Sequence, residues 1–276
     1  MNVVLLFARQ ELLLAVRSRF TQIFAAVFAL LALGVASAGY VLSGGSGVQD
    51  FARTAASLVQ LVLLLVPIAA LLIGVQSLAP ERGEAELLFA QPVSRRVILA
   101  GKLLGLLVAL SSAEAVGFGI AGLVIFSRTG GEGLSGFVLL LVGAVLTTAV
   151  FLALAALLSA DAVGRKKTRA LALAVVVWFV AVVLFDIGAL ALASLLPSGP
   201  ASRVLIGAVL VNPADAVRTG SLLAIQGTSA FGAGSLALLR FTKGPLGAAL
   251  LLGTSILAWI LVPALLAARR LEKLDL

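Results

Sequence analysis

The chain has 276 residues, 62% hydrophobic and 12% charged, with a net charge of +8 and a mean hydropathy of +1.20. Soluble domains carry about twice that share of charge, and this chain lacks the polar surface to cover a core of its size, so a soluble globular protein is excluded. Cysteine and histidine are absent and the sole methionine is Met1, which removes thiol catalysis, disulfides, zinc and haem ligation, and histidine acid–base chemistry.

What remains is an all-α polytopic membrane protein forming a single transmembrane domain. Residues 2–19 read as an amphipathic helix lying in the membrane interface, with Val3, Val4, Phe7, Leu12 and Leu14 apolar and Arg9, Gln10, Glu11, Arg17 and Arg19 polar. Six stretches are long and apolar enough to cross about 30 Å of hydrocarbon: residues 20–42, 57–78, 103–126, 134–158, 170–196 and 245–267. The first is too long for a signal peptide and follows a charged segment. With both termini on one side, that side holds 14 Lys and Arg and the other holds 6. The termini are therefore expected in the cytoplasm, and the positive charge reads as topology rather than nucleic-acid binding. The cluster Arg165–Arg169 reads as a topology anchor below spans four and five.

The loop after span two holds Glu81, Arg82, Gly83, Glu84, Ala85, Glu86, Leu87, Leu88 and Phe89, then Pro92, Val93, Ser94 and Arg95. Pro80 and the three acids suit the first turns of a short helix, Pro92 ends it, and Ser94 is placed to cap the helix that becomes span three. A short charged helix with a Leu-Leu-Phe patch has the form of a docking element.

Spans three and five each carry one acid, Glu114 and Asp186. An acid at mid-membrane costs about 2.5–3.5 kcal/mol on insertion scales and needs a partner, water or a proton. Each reads either as a polar point on a transport route or as a protonated acid bonded to a neighbouring helix or dimer partner. No basic residue lies at that depth in the sequence, so an internal salt bridge is not expected. Gly117, Gly119 and Gly122 follow Glu114 at spacings that allow close helix contact.

Between spans five and six, residues 203–211 are apolar but too short to span. Asn212 and Pro213 then start a helix carrying Asp215 and Arg218, read as a dip into the outer leaflet followed by a surface helix. Residues 227–235, rich in Gly, Ser and Ala, read as a flexible linker or turn. A Walker-type Gly-x-x-x-x-Gly-Lys-Ser/Thr is absent, so the chain does not bind ATP by that route.

The loop from Glu81 to Leu88, followed by Pro92-Val93-Ser94-Arg95 and Gly101-Lys102, resembles the signature of permeases of ABC-2 type exporters. That signature is Glu-x-Gly-Thr-x-Glu with a leucine pair, then Pro-Val/Leu-Ser-Arg, then Gly-Lys entering span three. Glu84 stands where Thr is usual, so one docking contact is expected to differ. The resemblance implies that Glu81, Arg82, Gly83, Glu84, Glu86, Leu87, Leu88, Pro92 and Arg95 couple the chain to a separate ATPase, which holds ATP and Mg, and that the permease is a homodimer. Phe185-Asp186, Gly117-Phe118-Gly119 and the run from Asn212 to Arg218 resemble one branch, whose members assist copper-site maturation of nitrous oxide reductase. That branch implies a periplasmic β-helical copper-binding partner, with Asn212, Pro213, Asp215 and Arg218 as candidate contacts. The chain has no soft ligand for Cu(I) beyond Met1, so a partner would carry the copper. Other readings are an ABC-2 exporter of a lipid, polysaccharide or drug, a non-transporting membrane scaffold, and a membrane enzyme, for which no nucleophile is evident between Glu114 and Asp186.

Overall fold

The computed structural model describes residues 2–43, 47–80, 82–129, 134–162, 167–226 and 233–273. Helix α1 (Val3–Arg17) starts at Asn2, whose side chain accepts from the Val4 amide at 3.2 Å, and ends where Ser18 turns extended. Helices α2 (Arg19–Ser43), α3 (Gly47–Leu78), α5 (Arg95–Thr129), α6 (Leu134–Ala160) and α12 (Pro245–Glu272) are long. The eight-residue α4 (Arg82–Phe89) lies between α3 and α5. Span five is composite: α7 (Lys167–Phe179), a π-turn at Val180–Leu184, and α8 (Phe185–Ser194). Then come α9 (Ser198–Val211), α10 (Pro213–Gln226) and α11 (Ala233–Phe241).

Among the described residues, six helices are long and apolar enough to cross a membrane, and they match the six stretches read from the sequence. The core is α3 against α6, where a Cβ on Gly74 would stand 2.6 Å from that of Ala155. Small residues let these backbones approach where no water is expelled to drive packing. An aromatic chain joins α2, α5 and α6: Phe28 meets Phe118 edge-on at 5.2 Å, and Phe118 meets Phe137 at 5.8 Å. Gly117 and Gly122 make room for Phe28 and Phe137, whereas Gly119 faces open space. Among the described residues, two of these three glycines serve close packing. Trp178 Nε1 donates to the Leu64 carbonyl at 3.0 Å, one turn before Pro67, fastening α7 to α3.

Two expectations need correction, and a third element gains a detail. Helix α1 exposes the apolar side chains Leu5, Leu6, Leu13 and Leu14 and packs its other face on the bundle. Phe7, Ala8, Glu11 and Ala15 share one face and are buried against α5, so Glu11 belongs to the buried side. A Cβ on Gly101 would stand 2.5 Å from Phe7 Cβ, and one on Gly105 equally close to the Ala8 carbonyl oxygen. Helix α10 is not a surface helix: Asn212 through Val217 and Thr219 are buried, and α10 packs on α6, α12 and α3. Its small residues Ala214 and Ala216, and the close approach of Ser221 to Gly143 of α6, seat it there. Residues 233–235 begin α11 rather than continuing a linker, and 227–232 lie outside the described residues.

Candidate functional site

Two regions concentrate polar chemistry. The first is the basic end, where α1, α4, the start of α5 and the end of α12 meet. Helix α4 buries Ala85 completely and half-buries Leu88 and Phe89, while Gly83, Glu84, Glu86 and Leu87 face outward. Leu87 is 77% exposed. Outside its own helix, no described residue lies within 4 Å of where a Gly83 Cβ would be. The helix ends at Phe89, and a turn through Gln91, Pro92 and Val93 leads to Ser94, whose carbonyl accepts from the Val97 and Ile98 amides as an N-cap residue does.

Arg95 is turned inward. Its guanidinium lies 5.0 Å from the Phe89 ring centre and Nη1 donates to the Leu271 carbonyl at 2.6 Å, joining α4 to the end of α12. The geometry makes Arg95 a brace for α4 rather than part of its outward face. Pro92 is exposed in the turn. Glu81 and the side chain of Arg82 lie outside the described residues, as do Arg165 and Lys166 of the basic cluster.

Sequence reasoning missed a buried joint just before α4. Lys102 Nζ lies 3.2 Å from Glu11 Oε2 and donates to the Ser77 carbonyl at 3.1 Å, and Ser77 Oγ donates to Glu11 Oε1. Lysine at the last turn of α3 serves carbonyls that the helix leaves unpaired. One cation thus ties the first helix, the end of span two and the start of span three. The signal was present: Gly101 and Gly105 flank Lys102 at a four-residue spacing that marks close helix approach. More exposed pairs, Arg96 with Glu272 and Arg270 with Asp161, bind α12 to α5 and α6 at the same end.

Glu114 is fully buried between α5 and α6. Thr148 Oγ1 donates to its Oε1 at 2.5 Å, while Oε2 has no partner among the described residues. Ser111, one turn earlier on the same helix, likewise has a buried hydroxyl without a partner. The acid fastens two helices, as one of the two sequence readings allowed.

The second region is the far end, and it overturns the expectation that Asp186 lacks a cation. Arg218 of α10 reaches Asp186 of α8 at 3.0 Å and Asp215, one turn back on its own helix, at 2.7 Å. The pair was missed because the basic residue comes from a helix thirty-two positions later that folds back into the bundle. Burial and the neighbouring Asp186 push the Asp215 carboxyl up to about 7, against the pull of Arg218. Asn212 does two things. Its Oδ1 accepts from the Ala214 amide at 3.1 Å, the cap its position implied, and its Nδ2 donates to the Ala181 carbonyl of the π-turn at 2.8 Å. Asn212, Pro213 and Asp215 are buried and Arg218 is about one-third exposed, so within the chain they serve internal contacts.

Six long apolar helices around one core, with a short outward-facing helix between spans two and three, define a multi-pass membrane protein of permease type. The chain belongs to the ABC-2 family transporter proteins, whose family model matches residues 5–276. It is 36% identical over 274 residues to the probable ABC transporter permease protein NosY of Stutzerimonas stutzeri, covering 97% of each chain. It is 34% identical over 242 residues to the probable ABC transporter permease protein NosY of Pseudomonas aeruginosa, covering 86% of each. The chain is therefore a NosY-like permease component, and the resemblance read from its loop and span motifs is borne out.

Proposed function

We propose that this chain forms a homodimer in the inner membrane, with both termini in the cytoplasm, and couples to a separate ABC ATPase that holds the ATP and Mg. We further infer that the assembly assists copper-site formation in nitrous oxide reductase, together with a periplasmic β-helical copper-binding protein at the far end. One observation carries the coupling: a leucine 77% exposed on a helix whose opposite side is held by buried Ala85 and by Arg95 against Phe89. An apolar side chain presented on a braced, charged helix favours insertion into a partner's cleft. The copper role rests on the likeness to NosY permeases, and with no Cys or His in this chain any copper would be held by a partner.

In this mechanism, closure of the ATPase dimer pushes α4. The chain carries that motion directly into α3 and α5, and the Glu11–Lys102–Ser77 joint passes it to α1. The bundle then switches between two packed arrangements as rigid bodies. The test is affinity purification from native membranes in mild detergent, with every co-purifying protein identified. An ATPase with a β-helical periplasmic protein is the expected result. An ATPase alone would remove the copper role, and no ATPase would remove the coupling itself.

A further inference from the structure

Span five changes its helical pitch midway, and nothing in the residues Val180-Ala181-Val182-Val183-Leu184 demands it. The Phe185 amide bonds the Val180 carbonyl, five residues back, and so misses the Ala181 carbonyl it would serve in an α-helix. Asn212 supplies a donor to that carbonyl from outside the helix, at 2.8 Å. In an apolar surrounding, a carbonyl displaced from its helical partner needs such a donor. Just beyond the π-turn, Asp186 is held by Arg218. Helix α8 packs on α9 rather than on α10, so the bonds from Asn212 and Arg218 join this half of span five to the helix seated in the core.

The charges are arranged for reversible opening. Arg218 contacts two acids, Asp215 on its own helix and Asp186 across the gap. When Asp186 moves away, Arg218 keeps Asp215 and is not left buried without a counter-ion, the condition that makes broken ion pairs costly. Asp186 and Arg218 are each about one-third exposed, so water can take over the released carboxylate.

We propose that Asn212, Asp186 and Arg218 are positioning residues of a hinge. They clasp the far half of span five to α10, and their release lets α8 and α9 swing about the π-turn to open the far end of the permease. The inference concerns the permease itself and holds whichever ATPase or periplasmic partner it uses.

The chain has no cysteine, so introduced cysteines carry labels without background. Among the described residues, a Cβ built at Gly188 of α8 or Gly220 of α10 meets nothing within 4 Å, which makes both positions suited to labelling. The experiment measures the distance between labels at G188C and G220C by pulsed electron resonance. It uses the full chain in lipid nanodiscs without ATPase, diluted with unlabelled protomers. The parent should give one narrow distance. Asn212→Ser keeps the helix cap but cannot reach Ala181; Asp186→Ala removes the pair yet leaves Arg218 on Asp215. Each should add a second population, longer by about 5 Å, the scale of a one-turn helix displacement. Exchanging the charges, Asp186→Arg with Arg218→Asp, keeps two acids around one guanidinium and should restore the single distance. An unchanged distance in both Asn212→Ser and Asp186→Ala would overturn the proposal. So would a charge exchange as broad as Asp186→Ala, because local packing rather than the clasp would then set the distance.

Discussion

The two ends of the bundle hold their helices together by different means. At the basic end, Arg96–Glu272 and Arg270–Asp161 link helix termini through side chains mostly in solvent. Losing either leaves its partner to water, and exposed pairs contribute little. At the far end, Asn212, Asp215, Arg218 and Asp186 share one connected network, half of it buried, in which each group satisfies another. The end that presents α4 can therefore adjust its surface contacts cheaply. The far end holds one arrangement for as long as Asn212 and Arg218 keep their bonds to span five. The Glu11–Lys102 pair is the exception that sharpens the contrast. It lies at the basic end but is buried like the far-end network, and it is the point through which movement of α4 would reach α1.

The largest stability effect is expected from Arg218→Ala, which leaves two acids with no cation. It should cost about 4 kcal/mol, and replacing all three charges with Asn, Asn and Gln should recover most of it. Unfolding of the purified protein in mixed micelles measures both, and equal losses in the single and the triple variant would contradict the pairing. Lys102→Met should cost about 3 kcal/mol in the same assay by stranding Glu11, with Glu11→Gln added to it restoring much of the loss. Gly105→Ala places a Cβ against the Ala8 carbonyl and should cost about 2 kcal/mol. Limited proteolysis should then cut α1 sooner. Arg96→Ala should leave the Tm unchanged, and a drop as large as that of Lys102→Met would erase the distinction between the two kinds of contact.

The long elements were legible because each span is an uninterrupted apolar run, and length alone settles such helices. The short helix α4 was legible because Pro80 and Pro92 bound it and acids sit at its start. The Asn212 cap was legible too, since Asn-Pro is a local signal. The rest depended on distance in sequence. The ion pair joining Asp186 to Arg218 spans two helices and a chain reversal, so charge counting placed its members at different depths. Glu11 looked polar in an amphipathic pattern, and only the glycines beside Lys102 hinted that α1 would press close enough to bury it. The π-turn left no trace in its apolar run; the residue that bonds it, Asn212, lies some thirty residues away.

The outward face of α4 is where the account is most exposed to test. Leu87→Asp changes a side chain with few contacts inside the chain, so the permease should fold and elute as the parent does. A charge forced into an apolar cleft should cut recovery of the co-purified ATPase by at least about tenfold. Gly207→Asp, at an open position on α9, should leave recovery unchanged. Full ATPase recovery with Leu87→Asp would contradict the account, because the exposed leucine of α4 would then have no part in holding the partner.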